Sequence, residues 1–424
     1  MIKFFALSLA TLTAIFGWNV SVFFAASEGW FKSPIVKSAS SAAFVEAVEK
    51  TVTEAHAGNF SMVLIEDGDI AGRYSMSAGA PVDGSSIFQV ASLGKWITAW
   101  GVMALVEDRA IDLDRPVSDY LSRWRLPETE FDNSGVTVRR LLSHTAGLDD
   151  GLGYDGFDRP EDVQSIEASL TRAIDASPGK SDVVKLGAEP GSEWNYSGGG
   201  YTILQLLIEE VSGQPFADYM TERVFAPLGM EHTTFRHEEA LRLGLAENFD
   251  LSGDTEPFRF YTALAATSLF TTTDDLAMFI MVQTKSDGQS VLSEETLQLM
   301  RTPHASQMGA DIWGLGPMLY APNKQGGYIV GHDGNNGPAV NTAARFDTTT
   351  GDGIVILSTG SDVLATRLAG EWVFWKNGSI DILMFLMSLN GMLLWMAIGS
   401  ILILLLAIVA GWGTRNRKGT ATSD

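Results

Sequence analysis

Ser92 and Lys95 stand three residues apart in Phe88-Gln89-Val90-Ala91-Ser92-Leu93-Gly94-Lys95-Trp96-Ile97-Thr98-Ala99-Trp100. On a helix that spacing puts both side chains on one face. A serine hydroxyl is a poor nucleophile at neutral pH until a neighbouring base takes its proton. Lysine can be that base when burial lowers its pKa well below the free value of about 10.4. A helix N-terminus adds unpaired N–H groups that favour developing negative charge. The pattern points to covalent catalysis at Ser92. Ser177-Pro178-Gly179-Lys180 has the same S-x-x-K spacing and acts as a control. There proline and glycine impose a turn, so no helix holds the pair together.

Two further stretches carry candidate chemistry. In Glu193-Trp194-Asn195-Tyr196-Ser197-Gly198-Gly199-Gly200-Tyr201 a tyrosine precedes a glycine run and a helix. Its hydroxyl could lodge in a cleft where a nearby lysine favours the phenolate. Gly331-His332-Asp333-Gly334-Asn335 follows the apolar strand Tyr328–Val330. Glycine there admits close backbone approach to a ligand, and the next N–H can face an oxyanion.

The elements that must position these residues follow from periodicity. Trp96, Trp100 and Met103, with Ile97, Ala104 and Leu105, form a helical stripe that ends near Asp108. Residues 34–58 read as a helix with Phe44, Val45, Val48 and Val52 on one side. Phe60–Ile65 and Ile70–Tyr74 read as strands joined at Asp67-Gly68. From about 119 to 310 the pattern is mostly helical, with a glycine- and aspartate-rich loop at 149–158 expected over a site. Residues 326–358 return to strands. Strands at both ends with helices between predict one mixed sheet and an inserted helical subdomain.

The chain has 424 residues, no cysteine and a formal net charge of −22. The missing cysteines exclude a disulfide framework and thiolate chemistry. The acidity argues against nucleic acid as a partner, and the scattered histidines, without an H-E-x-x-H pattern, give no metal site. No cofactor is implied.

Residues 4–26 are uncharged and read as a signal peptide or an uncleaved anchor. Residues 391–412 are uncharged and long enough, at roughly 1.5 Å per residue, to span a bilayer. Arg415, Arg417 and Lys418 follow, and Lys3 precedes the first segment, so both tails are expected in the cytoplasm. The expected division is 1–26 signal or anchor, 27–370 the soluble domain, 371–390 an amphipathic interfacial segment, 391–412 a transmembrane helix in contact with lipid, and 413–424 a cytoplasmic tail. A first span making a hairpin with the second is the alternative for 371–390.

Taken in order, the three motifs resemble those of the serine β-lactamase and penicillin-binding-protein superfamily, in its class C-like branch. Arg115–Leu121, Leu141-Leu142-Ser143-His144-Thr145-Ala146-Gly147-Leu148, Pro227-Leu228-Gly229-Met230 and Trp313-Gly314-Leu315-Gly316 extend the likeness over roughly residues 40–368. The resemblance implies an α+β fold of the β-lactamase/transpeptidase kind, a mixed antiparallel sheet flanked by helices with an inserted helical subdomain, and an acyl-enzyme mechanism on a small ester, a D-amino-acid peptide or a β-lactam. It implies Ser92 as nucleophile, Lys95 as its proton partner and Tyr196 as general base. His332 and Gly334 would line the cleft, and the N–H groups of Ser92 and Asn335 would form the oxyanion hole. Three positions depart from the family pattern. Gly198 replaces an asparagine that helps orient the lysine, Gly94 replaces Ser or Thr, and His332 replaces the lysine of β-lactamases proper. The expected protein is a membrane-anchored serine hydrolase with its domain outside the cytoplasm. The alternative, motivated by Gly198, is a slow or non-catalytic sensor or scaffold.

Overall fold

The computed structural model describes residues 2–151, 153–284, 289–337 and 339–419. It divides into two compact units, Met1–Pro34 with Val373–Asp424, and Ile35–Trp372.

The larger unit is built on an eight-stranded sheet. In chain order its strands are β1 (Phe60–Glu66), β2 (Asp69–Met76), β3 (Ala305–Gln307), β4 (Ala310–Trp313), β5 (Met318–Pro322), β6 (Tyr328–Asn336), β7 (Val340–Asp347) and β8 (Gly353–Thr359). Across the sheet they run β2-β1-β8-β7-β6-β5-β4-β3. The N-terminal hairpin is therefore joined to the C-terminal strands through β1 and β8, from Phe60↔Ser358 to Ile65↔Gly353. That join was expected. The antiparallel sheet implied by the resemblance is present: every pairing in it among the described residues is antiparallel, and no parallel pair makes it mixed. Short strand β3 lies in the stretch read as mostly helical, because a segment of three residues is too brief to show a period. The central strands β7 and β8 are buried nearly throughout, as strands covered on both faces must be. Helix α2 (Ser41–Ala55) buries Phe44, Val48 and Val52.

Helices α3 (Gly94–Glu107), α4 (Val138–Leu142), α5 (Gly198–Ser212) and α6 (Thr273–Met281) lie in the segment between β2 and β3. Every residue of α3 from Gly94 to Leu105 is buried. The one-sided stripe expected for it is thus a helix enclosed on all faces. Its Trp96 ring lies 4.9 Å from Phe279 of α6 and 5.9 Å from Phe346 of β7, which wedges the helix between sheet and helical subdomain.

In the smaller unit, α1 (Ile2–Ser27) and α8 (Ile382–Gly419) each contain a stretch long and apolar enough to cross a membrane, Phe5–Ser27 and Ile382–Trp412. Helix α8 begins before residue 391, where the membrane span was expected to start. Asp381 caps α8, its carboxylate accepting from Met384 N at 2.8 Å, and the helix runs on through Gly391 without a break. Helix α7 (Leu364–Asn377) takes up the start of the segment assigned to the interface. The side chains of Lys3, Arg415, Arg417 and Lys418, and residues 420–424 altogether, lie outside the described residues.

Candidate active site

Ser92 sits on a 3-10 turn, Ala91–Leu93, immediately before α3 rather than in its first α-turn. Ala91 holds φ +51°, a left-handed conformation that costs an alanine on the order of 1–3 kcal/mol. The turn is pinned from both sides to withstand that strain. Val90 N donates to Leu269 O at 2.9 Å, and Thr342 of β7 donates its hydroxyl to Val90 O at 2.8 Å.

Lys95, one turn on, is 2 % exposed. Its Nζ donates to Ser92 Oγ at 3.1 Å and to Ala266 O at 2.6 Å. Burial lowers its pKa to about 7, against the opposing pull of the Asp150 carboxylate. Near neutrality an appreciable fraction of Lys95 is therefore free to accept a proton.

Tyr196 lies just ahead of α5, its ring centroid 5.0 Å from Lys95 Nζ. Burial pushes the phenol well above its ordinary range, opposite to the phenolate expected from a nearby lysine. Its ring stacks on His144 at 4.3 Å and meets Trp313 edge-on at 5.6 Å. His144 itself has φ +58° and accepts from Ser197 N at 3.1 Å through Nδ1, so its proton resides on Nε2. Ser197 caps α5 by accepting from Gly200 N at 2.8 Å and donates to Asp150. Asp150 also accepts from Gly199 N at 2.7 Å. Buried Asp150 thus anchors the helix that follows Tyr196, a role that the composition of its loop did not suggest.

Gly198 has a steric explanation. A Cβ there would come within 3.0 Å of Tyr154 Cε2 and 3.4 Å of Gly153 Cα. The Tyr154 ring covers this position and its hydroxyl hydrogen-bonds Thr202 Oγ1 at 3.0 Å. An asparagine amide has no room unless that ring moves.

Strand β6 forms the opposite wall. Its pairing with β5 ends at Gly331↔Met318, whereas its pairing with β7 continues to Asn336↔Val340. From His332 to Asn336 one side of the strand is therefore left without a strand partner. Gly334 approaches the nucleophile turn so closely that a Cβ would lie 2.1 Å from Val90 O. His332 is buried, and its Nδ1 donates to Asp333 O at 2.6 Å. Burial, reinforced by Lys95, lowers the His332 pKa to about 3, so the ring is uncharged.

These walls enclose a cavity of about 210 Å³. Of the residues singled out from the sequence, Ser92, Lys95 and Asn335 line it, whereas Tyr196, His332 and Gly334 do not. Sequence reasoning missed Tyr154, Asp155, Thr267 and Asn336, and it dismissed Ser177, all of which line it. The turn at Ser177 is real, with Lys180 N donating to Ser177 O at 3.0 Å, but that turn delivers the Ser177 hydroxyl to Asp155 Oδ1 at 2.7 Å. Only the composition of loop 149–158 hinted at this wall. Asp175 stands behind it, buried, with both carboxylate oxygens unpartnered, and burial raises its pKa to about 6.

The family profile described as Beta-lactamase matches residues 44–371. Penicillin-binding protein 4 of Amycolatopsis lactamdurans is 31 % identical over 311 residues, covering 67 % of this chain and 76 % of that protein. Penicillin-binding protein 4* of Bacillus subtilis (strain 168) is 31 % identical over 194 residues, 45 % of this chain but only 40 % of that protein. Among solved structures, the octameric penicillin-binding protein homologue from Pyrococcus abyssi aligns with TM-score 0.65 at 25 % identity, over 77 % of this chain and 75 % of that one. The D-amino acid amidase of Ochrobactrum anthropi SV3 shares the fold, with TM-score 0.61 at 22 % identity over 78 % of this chain and 96 % of its own.

Proposed function

Since the chain belongs to the beta-lactamase family, we propose that it is a membrane-anchored serine hydrolase working through an acyl-enzyme on Ser92. The observation that carries this reading is the 3.1 Å contact from Lys95 Nζ to Ser92 Oγ, made by a lysine whose pKa is about 7. Neutral Lys95 takes the Ser92 proton as Oγ attacks the substrate carbonyl. The oxyanion is held by the N–H groups of Ser92 and Asn335. Tyr196 gives its phenolic proton to the departing amine or alcohol as it takes over the proton that Lys95 received from Ser92, so the phenol and neutral Lys95 are both restored and the acyl group stays on Oγ. Water then attacks the ester as neutral Lys95 takes its proton, and Lys95 hands that proton to Ser92 Oγ as the acid departs, which restores both groups.

The cavity bears on substrate class. With His332 neutral and Asp155 on the wall, Lys95 is the one cation among the lining residues, and it is committed to Ser92. A carboxylate-bearing β-lactam meets no free counter-charge, whereas a small ester or amide with an amino group meets Asp155. Substrates of the kind named for the Ochrobactrum amidase fit this better than penicillins. Helices α1 and α8 would anchor the hydrolase, with the domain outside the cytoplasm.

A panel of esters, D-amino-acid amides and a cephalosporin, with Ser92→Ala and a fluorophosphonate label, tests the reading. Label at Ser92 with turnover of amide or ester is expected. Label without turnover would favour the slow sensor suggested by Gly198, and no label on Ser92 would remove the nucleophile assignment.

A further inference from the structure

We propose that α1 is a permanent second membrane span that pairs with α8 and remains on the mature protein. This is independent of the hydrolase reading and concerns only the smaller unit.

Three kinds of contact support it. The first is polar. Asn19 lies within the apolar stretch Phe5–Ser27, where an unpartnered amide is costly in hydrocarbon. Its Nδ2 donates to Ile15 O at 2.8 Å within α1 and to Ser400 Oγ of α8 at 3.2 Å. The neighbouring Trp18 donates its indole N–H to Trp395 O at 3.1 Å. The second is steric. A Cβ on Gly399 would lie 2.0 Å from Trp18 Nε1, so α8 lacks a side chain where the indole packs. Small residues at such a crossing let two helices approach closely.

The third is register. Leu7 packs by Gly411, Trp18 and Asn19 by Trp395 to Ser400, and Phe23 meets Phe385 edge-on at 6.0 Å. Numbers rise along α1 as they fall along α8, so the pair is antiparallel over its apolar length. One helix enters and the other returns, which places both chain ends on one side, as Lys3 and the Arg415–Lys418 group require. A leader that is cut off needs an apolar run of about 7–15 residues and a small-residue site, and no complementary mate. Here Ala25–Ser27 stay helical, with Glu28 N donating to Phe24 O at 2.9 Å.

The test uses the full chain extracted from membranes, and the absence of native cysteine makes the background clean. Intact mass and N-terminal sequencing are expected to find α1 present. A mature chain beginning near Glu28 would overturn the proposal. In Asn19→Cys/Ser400→Cys, oxidation is expected to give an intramolecular cross-link. The control Leu12→Cys/Leu406→Cys, on faces 65 % and 70 % exposed, is expected to give none. Adding Gly399→Leu to the first pair is expected to abolish its cross-link. Retention of α1 with equal cross-linking of both pairs, or with none in the first, would overturn the pairing.

Discussion

Lys95 sets the pH behaviour of the site. With its pKa lowered to about 7 by burial, the neutral base grows with pH up to that value, so acylation should rise about tenfold per pH unit below it and level off above. Pre-steady-state labelling across pH 5–9 checks this, and Lys95→Arg, charged at every such pH, should lose the activity. The same burial acts on stability. Between about pH 7 and the free value of about 10.4 the unfolded chain binds the proton and the folded chain does not. Stability therefore gains from this group as pH rises through that window, and Lys95→Met should flatten the slope in denaturant titrations. Gly198→Asn should give no gain in acylation and a lower Tm, because its side chain meets Tyr154. Joining it with Tyr154→Ala should recover the Tm; a gain from the single change would mean the ring is not the obstacle.

Between elements, the decisive contact is that of β6 with the Ala91–Leu93 turn. Gly334→Ala drives a methyl into Val90 O, which should shift Asn335 N–H away from the oxyanion. Loss of one such donor typically costs about 10²–10³ in rate. The prediction is a fall of that size in acylation with far-UV circular dichroism unchanged. Next to it, Arg345 of β7 is fully buried, bonds Asp333 of β6 at 3.1 Å and lies 4.0 Å from the Tyr320 ring centroid of β5. Removing one partner of a buried pair costs about 3–5 kcal/mol. Arg345→Met should show a loss of that order by urea unfolding, and because β6 carries Asn335, acylation should fall with it.

For the whole molecule, the net charge of −22 and the acidic cavity wall act in the same direction. Cationic amide substrates should be drawn in and anionic ones repelled, and both effects should weaken as salt shortens the roughly 10 Å screening length at 0.1 M. The KM for an amino-bearing amide should therefore rise with ionic strength, while that of a neutral ester stays level. A KM that ignores salt for both would remove Asp155 and the overall field from substrate choice.

The sequence by itself determined that Ser92 and Lys95 come together as the candidate nucleophile and base. Ser92–Lys95 depends on local spacing, the N- and C-terminal strands on runs of apolar residues, and the two long helices on length and composition. All are properties of contiguous residues. Tertiary structure alone decided the rest, because it depends on which distant segments meet. Strain at Ala91 is invisible in an alanine until Leu269 and Thr342 hold the turn. The Tyr196 phenol follows from enclosure, not from the lysine near it, and His332 loses its charge by burial. Ser177 is held in a turn for the local reason its proline and glycine announce. It reaches the cavity because chain 22 residues away, at Asp155, receives its hydroxyl. Helix α3 likewise reads as amphipathic in one dimension and is covered on every side in three, since a stripe can be counted along a chain but the layers that enclose it cannot.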